Sequence, residues 1–238
     1  MKQQFLIKSN SNYLQLDYYE YRHHKIHNFL LINIIIFVSL ISSFFSDEMN
    51  MKITITINLN SGGETHIINA HGTNRKCPSK IYVNYNNWKE YSCKINLSQG
   101  SHSIIVEWYP SEFFTDCSNM FEDKTFITEI NLSEFKANEV QYMAYMFKGC
   151  TALQKVTLPR ITEYKLERTE KMFEGCISLI SIVFSNNDFR TEKVTNMAQM
   201  FQDCKSLSSI IFPGSFITNV VEEIQDMFSG CYKYGLSF

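Results

Sequence analysis

The sequence predicts an α/β chain in three parts: an apolar N-terminal helix, a small antiparallel β-rich unit, and a repeat solenoid with a parallel strand on one face and helices on the other. Three observations carry this reading. Residues 29–45 hold no charged side chain. From Lys52 to Asn60 apolar and polar residues alternate strictly. In the second half a Met-Phe pair recurs five times at intervals of 26, 26, 28 and 27 residues. The chain has 238 residues, 45% of them hydrophobic and 19% charged, which is enough apolar mass for a core. A net charge of −2 lacks the basic excess of a nucleic-acid binder, so no nucleic-acid partner is expected.

The first part is read from the stretch FLLINIIIFVSLISSFF. At about 1.5 Å per residue, 17 residues approach the thickness of a bilayer core. The segment 29–46 is therefore expected to meet a membrane, either as an uncleaved signal anchor or as a signal peptide cut among the serines near residue 46. A start of translation at Met49 or Met51 is the remaining reading. The preceding polar tail, 1–28, carries Lys2, Lys8, Arg22 and Lys25 against Asp17 and Glu20, whereas Asp47 and Glu48 follow the stretch. The positive-inside rule places the tail in the cytosol and residues 47–238 outside or in a lumen. His23, His24 and His27 lack further ligands at metal spacing and read as a polar flank.

The second part, residues 51–110, reads as a small β domain. Ile53, Ile55, Ile57 and Leu59 alternate with polar residues, which gives a strand with one buried face. Ser61-Gly62-Gly63-Glu64 reads as a turn and THIINA as a returning strand, so a hairpin is expected there. Further strands are expected at 80–84, 92–97 and 102–108, with Trp88 and Trp108 as large core residues. Cys77 and Cys93 are candidates for a disulfide in an oxidising compartment.

The third part spans 115–238, with repeats beginning near 117, 143, 169, 197 and 224. Its Met-Phe pairs are Met120-Phe121, Met146-Phe147, Met172-Phe173, Met200-Phe201 and Met227-Phe228. Three residues after each Phe stands Cys150, Cys176, Cys204 or Cys231, and in the first copy Lys124. Val140, Met143, Met146 and Phe147 are spaced as one helical face, and Gly149 follows where a helix C-cap favours glycine. The ensuing Leu-x-x-Ile-x-Leu cadence ends in period two and predicts a short strand. One such unit buries too little to offset its own ordering, so the copies are expected to stack, with the thiols and thioethers as core filler. Cys117, at the seam with the β unit, is either core or a disulfide partner.

The stretches LSEFKANEVQYMAYMFKGC (132–150) and DFRTEKVTNMAQMFQDC (188–204) resemble the Met-Phe-x-x-Cys leucine-rich repeats of the BspA-like surface proteins. The resemblance covers about half the chain. It implies a leucine-rich-repeat solenoid on a surface or secreted protein, acting by adhesion or recognition, and it brings no catalytic residues. Relatives often carry more repeats. This chain reaches CYKYGLSF without a polar cap, where self-association is expected.

The outward strand positions are expected to form a concave binding face: Glu129 and Asn131, Lys155 and Thr157, Ser181 and Val183, Ser209 and Ile211. A protein or glycan ligand is the expected partner, with a stacking unit of a homo-assembly as the alternative. Asn96 and Asn131 head glycosylation sequons, and a glycan on Asn131 would argue against use of that face. No P-loop, GxSxG, HExxH, paired CxxC or Cys/His nucleophile pattern occurs, so no enzyme, cofactor or metal is expected.

Overall fold

The computed structural model describes residues 4–9, 12–17, 51–69, 77–85, 87–90, 92–109 and 113–231. The expected membrane segment, 29–46, lies outside them. Among the described residues no helix is long and apolar enough to cross a membrane. The chain divides into two units, Met1–Glu48 and Met49–Phe238. In the first, strands β1 (Gln4–Ser9) and β2 (Asn12–Asp17) pair as an antiparallel hairpin that the sequence reading missed.

The second unit is built on a seven-stranded mixed sheet. Its strands are β3 (Met51–Leu59), β5 (Lys80–Val83), β6 (Asn87–Glu90), β8 (Gly100–Trp108), β9 (Ile127–Asn131), β10 (Lys155–Leu158) and β11 (Ser181–Phe184). They lie in the order β11-β10-β9-β3-β8-β5-β6. The three repeat strands β9, β10 and β11 run parallel, and all other pairings are antiparallel. β4 (Gly63–His66) does not return against β3 as expected. It pairs with β7 (Lys94–Leu97) in a separate two-stranded sheet.

Period-two alternation fixes which face of the large sheet is buried. The register sets Ile182, Val156, Ile130, Ile55 and Ile104 side by side in one apolar row crossing five strands. Each is buried, as is Trp108. The β unit and the repeats therefore share one sheet and one core. A bulge marks the joint: the register shifts after Thr56, and the extra residue Thr128 donates its hydroxyl to the Thr56 carbonyl at 3.1 Å.

The helices expected on the opposite face are absent. Among the described residues the sole helical element is a 3-10 turn, Ser185–Asn187. The α/β assignment is corrected to a nearly all-β fold, and the reason lies in the backbone. Tyr145 (φ 61°) and Gly149 (φ 71°) adopt the left-handed region four residues apart, as do Asn119 and Asp123, Lys171 and Gly175, Gln199 and Asp203, and Asp226 and Gly230. Each is the third residue of a tight turn closed by a bond such as Met146 N to Met143 O at 3.3 Å or Cys150 N to Phe147 O at 3.1 Å. Such residues cannot continue an α-helix. The alternate N–H groups instead point to the next coil. Met143, Tyr145, Phe147 and Gly149 donate to the carbonyls of Arg168, Glu170, Met172 and Glu174 at 2.8–3.1 Å. The bonds that a helix makes within itself here tie one repeat to the next.

This ladder leads the recurring side chains of each copy into register. Phe121, Phe147, Phe173, Phe201 and Phe228 form a column, with ring centroids 5.1–5.6 Å apart and planes within 12° of parallel. Beside it runs a column of thiols. Cys150 Sγ donates to Phe121 O at 3.0 Å, and Cys176, Cys204 and Cys231 do the same to Phe147, Phe173 and Phe201 at 3.1–3.2 Å.

The first coil has no coil before it, and the β unit supplies what one would provide. On the sheet side β3 pairs with β9. On the turn side Asn69 N donates to Met120 O at 2.9 Å, and Asn69 Nδ2 donates to Asn119 O and Glu122 O at 2.9 and 3.0 Å. The β unit is thus the N-terminal cap of the stack.

Candidate functional site

The solvent face of the large sheet is set by the same alternation that fills the core. Two rows of outward side chains cross it. One runs Ser181, Lys155, Glu129, Thr56, Ser103, and the other Val183, Thr157, Asn131, Thr54, Ile105, Tyr82. The sequence-predicted residues Glu129, Asn131, Lys155, Thr157, Ser181 and Val183 come together in these rows. Glu129, Asn131, Lys155 and Val183 are exposed, and Thr157 and Ser181 are half-buried. The rows juxtapose Glu129 with Lys155 and Asn131 with Thr157, so the face is polar with mixed charge.

Ser209 and Ile211 do not join them. The fourth strand expected at 207–212 is not formed, and among the described residues β11 ends the sheet. The repeat interval that holds this segment, Met200 to Met227, is 27 residues, one more than the first two, and Pro213 follows. Ile211 is 86% exposed.

Thr54, Thr56, Ser103, Ile105 and Tyr82 belong to the face and were missed. The alternation of KITITINLN already turned Thr54 and Thr56 outward, but no sequence signal joined β3 to the repeat strands. Tyr82 O–H donates to Glu107 at 3.4 Å, and partial desolvation followed by that carboxylate raises its pKa. Lys52 lies 3.8 Å from both Glu107 and Glu134, closing the border of the face with ion pairs. Asn131 Oδ1 accepts from Ser133 N at 2.9 Å, an Asx turn within the sequon, and Asn96 is exposed on β7.

The remaining predicted residues sit in the interior. Met120, Met146, Met172, Met200 and Met227 are buried, as are Cys150, Cys176 and Cys204, while Phe228 and Cys231 are half-buried. Burial pushes the Cys150 thiol up to about 12, and raises Cys176, Cys204 and Cys231 in the same way. A thiol held protonated is a poor nucleophile and a poor metal ligand. Cys117 is buried and forms no disulfide. Cys77 and Cys93 form a disulfide with Cα atoms 4.9 Å apart. No group of three or more His, Cys, Asp or Glu side chains is placed to hold a metal among the described residues.

One shallow groove of about 330 Å³ opens where the β3–β4 turn meets the first coil, lined by Gly62, Gly63, Glu64, His66, Asp123 and Lys124 among others. Lys124 takes the place of the repeat cysteine there, and burial lowers its pKa. The groove mixes one lysine with two carboxylates and has no consistent charge.

An exposed polar sheet face over a capped stack of short coils defines a repeat protein with a surface rather than a cavity. Two overlapping segments, residues 95–182 and 161–237, match the family described as Mycoplasma protein of unknown function, DUF285. Together they span more than half of the sequence, and the chain belongs to that family. No curated protein and no solved structure matches it.

Proposed function

We propose that the chain is a non-enzymatic, BspA-like leucine-rich-repeat surface protein that recognises a protein or glycan partner through the outer face of its sheet. The observation that carries this reading is the continuity of the face. Side chains from β5, β8, β3, β9, β10 and β11 align in register without a break between the cap and the repeats. Exposed Asn131 and half-buried Ser, Thr and Tyr side chains on the sheet offer donors and acceptors at fixed spacing. That suits a flat protein patch or an extended glycan better than a small molecule, which binds in a concave pocket. The protonated core thiols favour binding over chemistry. A surface or lumenal address is supported by the Cys77–Cys93 bridge, which a reducing cytosol would not sustain, and by the apolar stretch 29–46, read as anchor or signal.

The homo-assembly alternative is narrowed by the cap. Head-to-tail stacking needs both ends of the stack open, and β3 with Asn69 closes one of them.

The test is a binding screen of the full chain on glycan and surface-protein arrays, run beside the variants Asn131→Lys and Thr157→Glu. Both positions lie on the face, so an unchanged unfolding midpoint with binding weakened by about tenfold or more supports the reading. Binding that ignores both substitutions refutes it.

A further inference from the structure

We propose that residues 208–212 are a latent fourth repeat strand that docks parallel onto β11 and so brings Ser209 and Ile211 onto the outer face. Three observations point to it. The segment carries the alternation of the other repeat strands, with Ile210 partly packed on the core and Ile211 outward. Its spacing fits: Ser209 and Ile211 follow Ser181 and Val183 by the same 28 residues that separate Met200 from Met172. Yet among the described residues no backbone hydrogen bond joins 208–212 to β11, although β9, β10 and β11 pair in full register.

The segment is held close. Phe212 packs on Phe184 of β11, with ring centroids 5.9 Å apart, and on Phe216 at 4.3 Å. The aromatic anchor is therefore already in place, and docking needs only the backbone ahead of it to straighten. The ladder bonds gained are of the same order as the cost of ordering four residues, which is the balance a two-state element requires. In the docked form Val183 and Ile211, 44% and 86% exposed here, stand side by side and shield each other. The conformational step stands whether or not the face binds a partner.

The experiment is trapping in the full chain. Val183→Cys with Ile211→Cys places a thiol on each strand at exposed positions. Thr157→Cys with Val183→Cys, neighbours in the observed register, is the control. Under mild oxidation both pairs are expected to form intramolecular disulfides, identified by peptide mass mapping, because paired strands bring Cα atoms within the bonding window. In the trapped 183–211 protein, amide exchange at 209–212 is expected to slow by about tenfold or more. Adding Ser209→Pro, which removes a strand N–H, is expected to lower the trapping yield. A control that cross-links while the 183–211 pair does not overturns the inference. So does a cross-linked protein whose 209–212 amides exchange as fast as before.

Discussion

Among the described residues, the first and last coils of the repeat stack carry nearly the same residues and differ in burial. At the first coil Met120, Phe121 and Cys117 are fully buried, and Asn69 and β3 answer the hydrogen-bonding groups that face away from the second coil. At the last, Phe228 and Cys231 are half-buried, and the strand that should precede that coil is unpaired. Local propensity does not explain the difference, since Met-Phe and the left-handed pair recur at both ends. A coil of this kind is ordered by the neighbour that accepts its outward N–H groups and covers its ring, as nearest-neighbour coupling in repeat proteins requires.

The largest effect should come from the ring column. Phe173 has stacked neighbours on both sides at 5.2 and 5.5 Å, and it is fully buried. Phe173→Ala should cost about 3–5 kcal/mol in urea unfolding, the usual range for a buried aromatic. Phe228→Ala, at a half-buried site, should cost less than about half of that. Equal losses at the two sites would break the comparison, since the cost would then follow residue type and not position in the stack.

These rings also show what the sequence could and could not disclose. The repeat, its phase and its buried residues were legible because one pattern recurs five times, and stacking in register follows from that alone. The strand faces at 127–131, 155–158 and 181–184 were legible from period two. The turns were not. Turns with their third residues at 145 and 149 direct residues 143, 146, 147 and 150 inward, which is the spacing of a helical face. Glycine at 149, 175 and 230 then reads as a helix cap. The distinguishing signal was fainter: Asn, Asp or Gly, which tolerate the left-handed region, stand at seven of the ten positions concerned. The joint between β3 and β9 left no local trace, because a pairing across more than 70 residues depends on two strands that each look ordinary.

The cap supplies the next test. Asn69→Ala removes the two bonds from Nδ2 and leaves the carbonyls of Asn119 and Glu122 without that donor, while the backbone bond to Met120 persists. The expected loss is about 1–3 kcal/mol. Because cap and repeats share a core, unfolding should remain a single transition by both far-ultraviolet circular dichroism and tryptophan fluorescence. Two separated transitions would show instead that the β unit merely sits beside the stack. Asn69→Asp should be no better than alanine, as a carboxylate cannot donate.

The last comparison is a pH slope, between the thiol of the second coil and that of the last described coil. Cys150 ionises at about 12 in the folded protein against 9.0 ordinarily, because its thiolate would be buried. Its folded pKa is raised, so its contribution to stability is complete below about 9. Above that the unfolded chain loses a proton that the folded chain keeps, and stability declines by about 1.4 kcal/mol per pH unit per deeply buried thiol until about 12. Lysines and tyrosines titrate in the same window, so the informative quantity is a difference. The slope of Cys150→Ala, subtracted from that of the parent in urea titrations between about pH 8 and 11, should isolate the share of one thiol. The same subtraction for Cys231→Ala should give a smaller share, since Cys231 is only half-buried and its pKa is raised by less burial. Equal shares would mean that the last coil closes over its thiol as completely as the second does. The difference in burial along the stack would then be lost.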